Sequence, residues 1–185
     1  GAFDTHPSWS RDGTQIAFAS DRDNPPPRGK RIGKLAIYVM DADGGNVRAV
    51  AGTRWGGTSP TLSPDGLEIA YSSGSDIAIA PLNGGEERRL LRTPDAEEFP
   101  VWSPDGRQIA FARLVNNVGG IWVVDTNGQN LRNLTNDEGI FHETPDWFDP
   151  SAPLLGSYAV DALGKLLAPW ARLKTPGAAR AAHAR

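Results

Sequence analysis

One dodecapeptide occurs three times in register, and no other feature of the chain restricts its fold as tightly. It reads PSWSRDGTQIAF from Pro7, PTLSPDGLEIAY from Pro60 and PVWSPDGRQIAF from Pro100, with a shortened opening, PDWFDP, from Pro145. The spacing is about 40 to 50 residues, the length of a four-stranded antiparallel blade. The first unit is longer because of an insertion around Asp23–Lys34.

Each unit decomposes in the same way. A short strand ends in Ser-Pro-Asp-Gly or Ser-Arg-Asp-Gly, where aspartate accepts hydrogen bonds from nearby amides and glycine takes the positive φ that strains other residues. A second strand carries Ile16-Ala17-Phe18, Ile69-Ala70-Tyr71 or Ile109-Ala110-Phe111. A third is rich in β-branched and aromatic residues, IYVMD, IAIAP or IWVVD. It runs into a hairpin signal, Asp43-Gly44, Asn83-Gly84 or Asn127-Gly128. NVRAV, ERRLL and NLRNL supply the fourth strand.

The predicted fold class is therefore all-β: three complete four-stranded β-propeller blades plus an incomplete fourth. Blades are expected at about 4–52, 57–93 and 97–136, with a partial one at 142–150, so that 1–150 forms the propeller segment. Trp9, Trp102 and Trp147 share one motif position and are expected in the cores between blades. Three blades and an opening strand fall short of the four to eight typical of a ring, which predicts an open arc. Residues 151–185 read as a helical or irregular tail. Leu163, Leu166, Leu167, Trp170 and Leu173 recur at helical period, with Pro169 as a kink, and disorder is expected from Thr175 onward.

At these residues the chain resembles the TolB-like, or WD-like, propeller repeats of bacterial proteins, whose hallmark is P-x-W-S-P-D-G-x-x-I-A-F. The resemblance covers Asp4 to about Pro150. It implies a propeller used for protein contacts and a periplasmic or secreted location, without implying one activity.

Composition narrows the partners. The net charge is −3 and the basic residues are dispersed, which argues against nucleic acid. No apolar run is long enough for membrane insertion. Because the chain opens on Gly1 and enters a strand pattern at once, it is expected to be a processed product or part of a larger protein. With no cysteine there is no thiol nucleophile and no thiolate metal site. There is no G-x-S-x-G elbow either, and His6, His142 and His183 are the only histidines a triad might use. The reading is of a protein without catalytic residues, cofactor or metal. Asp41-Ala42-Asp43-Gly44 begins like a calcium loop, but Gly52 stands where its last ligand belongs.

The expected function is a non-enzymatic module for protein–protein contact or scaffolding, with self-association through uncapped blade faces as a further expectation. Two rivals are an accessory propeller of a serine hydrolase or peptidase, and a metal- or small-ligand-binding propeller. The expected binding residues stand just before each motif proline, at one mouth of the channel that innermost strands surround: Asp4, His6, Glu97, Glu98, His142 and Glu143. They differ between units, as binding an asymmetric partner requires, whereas the turn aspartates recur unchanged. A secondary contact loop carries Arg28, Lys30, Arg31 and Lys34 beside three prolines.

Overall fold

A computed structural model describes residues 1–50, 56–116, 118–135 and 144–147, together with the backbone of 158–160 and 166–169. The chain divides into two compact units, Gly1–Phe148 and Asp149–Arg185.

The first unit contains three four-stranded antiparallel sheets, each with its strands in sequence order. Blade 1 is β1 (Asp4–Trp9), β2 (Gln15–Ser20), β3 (Ala36–Asp41) and β4 (Arg48–Ala49). Blade 2 is β5 (Thr58–Leu62), β6 (Glu68–Ser73), β7 (Asp76–Pro81) and β8 (Arg88–Arg89). Blade 3 is β9 (Ala96–Trp102), β10 (Gln108–Val115), β11 (Val118–Asp125) and β12 (Arg132–Asn133).

The motif turns share one hydrogen-bond pattern. Ser10, Ser63 and Ser103 each donate their hydroxyl to the aspartate two residues on, at 2.6 Å. The same serine oxygens accept the amides of Gln15, Glu68 and Gln108 at 2.9 Å. Gly13, Gly66 and Gly106 close the turns at φ near 70°. These bonds hold the Asp12, Asp65 and Asp105 carboxyls below the usual carboxylate range, first through the serine hydroxyl and then through a backbone amide. The recurring aspartates are thus accounted for by local structure.

Apolar residues collect in the seams between blades. Ile37, Val39, Leu62, Ile69 and Tyr71 form one buried cluster, and Ile77, Ile79, Trp102, Ile109, Phe111 and Val124 form a second. Each sheet buries its face only against its neighbour, the economy of a repeat protein.

Two expectations need correction. Trp102 is 6% exposed, as a core residue should be, and Trp147 is half-buried, but Trp9 is 59% exposed. A seam needs a blade on each side, and no described blade stands before blade 1. The second correction concerns the tail. In place of a helix, β13 (Tyr158–Val160) and β14 (Leu166–Pro169) pair antiparallel, and the described residues contain no helix. Proline disfavours helix in the residue before it, and Gly164 weakens the predicted helical run further. Thr175 onward lies outside the described residues.

Candidate functional site

The innermost strands do not run straight. In β1, β5 and β9 the ladder register shifts by a bulge that contains the motif proline. Proline has no amide to offer a ladder, and an inserted residue bends the strand and re-aims its side chains. The residue before each proline takes a left-handed conformation: His6 at φ 51°, Ser59 at 51°, Phe99 at 56° and Thr144 at 51°. None is glycine, so the backbone is constrained in the same way at four equivalent places.

These four residues converge. With Pro7, Pro60, Pro100 and Pro145 they line an open cleft of about 500 Å³ where the inner strands of all three blades meet the segment Thr144–Trp147, which is not itself a strand. His6 and Phe99 face each other across it, ring centroids 6.5 Å apart and tilted by 40°. Ser59 Oγ is buried and has no hydrogen-bond partner among the described residues. At the turn end of the strands, Arg11 of blade 1 donates to the Pro104 carbonyl of blade 3. The cleft therefore offers an imidazole, a phenyl ring and two hydroxyls on a rigid, proline-lined frame.

The structure brings His6 into the cleft and separates the other described candidates from it. Asp4 is exposed and pairs with Arg22 at 3.2 Å, and a hydrogen bond from Ser20, with that of Arg22, lowers its pKa. Glu98 is exposed. Glu97 is fully buried on the seam with blade 2, where its amide donates to the Ser75 carbonyl at 2.9 Å. Its Oε1 accepts the Thr93 hydroxyl at 2.6 Å and lies 3.8 Å from Arg113 Nε. Arg113 also binds Asp95 at 2.6 Å and lies over the Trp122 ring at 4.8 Å. Burial raises the Glu97 pKa, against the opposing pull of the Thr93 hydrogen bond and the Arg113 charge. Glu97 is thus part of the joint between blades. His142 and Glu143 lie outside the described residues. Among those described, no three His, Asp or Glu side chains come together in a way that would hold a metal ion.

Ser59, Phe99 and Thr144 stand at the same motif position as His6, but the expected binding residues were the acidic and imidazole side chains among the three residues before each proline. A bulge shifts the alternation by one residue, so the positions three before and one before the proline point to different places. The proline itself, recurring inside a strand, was the available signal.

The basic residues Arg28, Lys30, Arg31 and Lys34 are exposed on the excursion between β2 and β3.

A tandem array of four-stranded blades around inner strands, with side chains that vary on a repeated frame, defines a β-propeller protein. The chain belongs to the TolB beta propeller domain family, whose sequence pattern matches residues 1–149. Among curated proteins it is similar to the Tol-Pal system protein TolB of Anaeromyxobacter dehalogenans, with 33% identity over 130 residues. That match covers 62% of this chain and 27% of the relative. An uncharacterised peptidase of Bacillus subtilis, YuxL, is 35% identical over 65 residues, which is 35% of this chain and 9% of the peptidase. Among solved structures, a TolB of Agrobacterium tumefaciens superposes with a TM-score of 0.58 at 23% identity, a likeness of fold. The superposition covers 72% of this chain and 48% of that one. The chain thus spans under a third of the length of either curated relative.

Proposed function

We propose that this chain is a non-enzymatic protein-interaction module, part of a larger bacterial envelope or secreted protein, which receives its partner at the cleft of His6, Ser59, Phe99 and Thr144. The observation that carries the reading is the contrast between frame and contents. Four equivalent positions share one backbone conformation and one proline, yet hold an imidazole, two different hydroxyls and a phenyl ring. A scaffold alone requires sameness at equivalent places, and an asymmetric partner requires difference. A concave site lined by apolar and aromatic side chains with a few convergent polar groups is the usual make-up of a binding cleft.

The similarity to TolB makes the Pal component of the Tol-Pal system the first partner to test, and it favours a periplasmic location. Calorimetric titration of the chain with the soluble part of Pal is expected to show saturable binding that Phe99→Ala and His6→Ala weaken by about tenfold or more, the scale of a hot-spot truncation. Binding that both variants leave unchanged would remove the cleft from the account. The exposed Trp9 face gives a second contact, self-association between chains.

The similarity to the Bacillus peptidase supports a second reading, an accessory propeller beside a hydrolase domain. A fluorophosphonate serine-hydrolase probe is expected to leave the purified chain unlabelled, and stoichiometric labelling would overturn the non-enzymatic reading.

A further inference from the structure

The three blades differ most where β2 passes to β3. Blade 2 makes this turn with the two residues between Ser73 and Asp76, and blade 3 with the two between Val115 and Val118. Blade 1 instead sends out the whole stretch between Ser20 and Ala36. Because its siblings show that a blade needs only a hairpin here, the scaffold does not account for the excursion.

The excursion is held in shape. Asp21 is buried, and its carboxylate accepts the Phe3 amide at 2.7 Å and the Gly33 amide at 2.8 Å, tying both ends of the loop to the start of the chain. Those two amides hold the Asp21 pKa low, so the clamp carries a charge at neutral pH. Gly33 packs so closely that a Cβ would overlap the Asn24 carbonyl oxygen. Pro25, Pro26 and Pro27 stiffen the outward arm, and the Lys30 amide turns back onto the Pro27 carbonyl at 2.9 Å. At its root the Arg22 guanidinium sits 4.9 Å from the Phe18 ring and 4.8 Å from the Tyr38 ring.

The nearby acids are already engaged. Asp21 holds backbone, Asp23 accepts the Tyr38 hydroxyl at 2.6 Å, and Asp4 faces Arg22. Arg28, Lys30 and Arg31 stand exposed on the tip, with no carboxylate partner among the described residues. In a chain of net charge −3, a braced loop presenting cations while its own acids are engaged by the Phe3 and Gly33 amides and the Tyr38 hydroxyl is complementary to negative charge. We propose that this excursion is a preformed docking loop for an acidic segment of a protein partner, separate from the cleft. A fixed loop loses little conformational freedom on binding, which favours an extended peptide over a purely diffuse ionic contact.

The test is fluorescence anisotropy of a labelled oligoglutamate peptide titrated with the full chain, and, in parallel, sedimentation with phosphatidylserine–phosphatidylcholine vesicles. Peptide binding is expected at low salt, weakening as salt rises. The triple variant R28E/K30E/R31E should weaken it by about tenfold or more while the melting temperature holds. Gly33→Ala keeps every charge and displaces the loop, and should weaken binding several-fold, with near-UV circular dichroism checking that the blades remain folded. Absence of salt-sensitive peptide binding, or indifference to the triple variant, overturns the proposal. Binding to vesicles without binding to peptide assigns the loop to a membrane surface and overturns it equally. A Gly33→Ala chain that binds as the parent does overturns the claim that the loop is preformed.

Discussion

Trp102 reaches across the seam and donates its indole N–H to the carbonyl of Thr61, at 3.2 Å. Thr61 precedes Leu62, which occupies the same motif position in blade 2. The relation repeats one unit later, where Trp147 donates to the carbonyl of Val101, the residue before Trp102, also at 3.2 Å. Arginines return the contact near the outer strands: Arg48 donates to the Leu82 carbonyl at 3.0 Å and Arg88 to the Thr126 carbonyl at 2.9 Å. The seam between blades 2 and 3 thus combines an apolar face with a polar link in each direction, whereas the seam between blades 1 and 2, with Leu62 in the tryptophan's place, carries the arginine link.

Trp102→Ala is expected to cost about 3 to 5 kcal/mol, the range for truncating a large buried aromatic. Trp9→Ala, at the same motif position with 59% of its surface exposed, should cost about 1 kcal/mol or less. Urea unfolding of the two variants side by side checks this, and equal losses would contradict the seam account.

The Trp9 face presents an indole with no hydrogen-bond partner among the described residues, on a sheet whose counterparts in blades 2 and 3 are covered. Self-association through it is expected to show as a concentration-dependent sedimentation coefficient, which Trp9→Glu should abolish. Persistence of the association in that variant would place it on another face.

Glu97 makes stability depend on pH with a definite sign. Burial raises its pKa in the folded state above the ordinary value, so the folded chain keeps a proton that the unfolded chain releases. Its contribution is fully present below the unfolded pKa of about 4.3 and is lost as pH rises through the raised folded value. Glu97→Gln removes this dependence. Unfolding curves of the two proteins from acid to neutral pH should therefore diverge in favour of Glu97→Gln as pH rises, then run level. Parallel curves throughout would show that Arg113 and Thr93 compensate the burial in full.

The blades were legible in the sequence because their signals are local and repeated: serine, aspartate and glycine in one turn, then Ile-Ala-aromatic, then a β-branched strand. The tail misled because leucines at helical spacing outweighed Gly164 and Pro169, whose backbone effects oppose a helix. The cleft was legible only in outline. Its location before the motif prolines and the presence of His6 follow from strand order, but Phe99 and Ser59, at the same motif position as His6, carry neither the acid nor the imidazole that marked a candidate. Glu97 looked like a rim residue because it is an acid standing just before a motif proline, and its burial depends on Arg113 and Thr93, whose approach is a matter of tertiary packing.

Site-specific photocrosslinking tests the central claim most directly. A benzophenone side chain placed singly at His6, Ser59 and Phe99, and as controls at Leu67 and Glu86, is irradiated in bacteria producing the chain. The account predicts one discrete protein adduct shared by the three cleft positions and missing from both controls. Adducts from Leu67 or Glu86 with none from the cleft would contradict it.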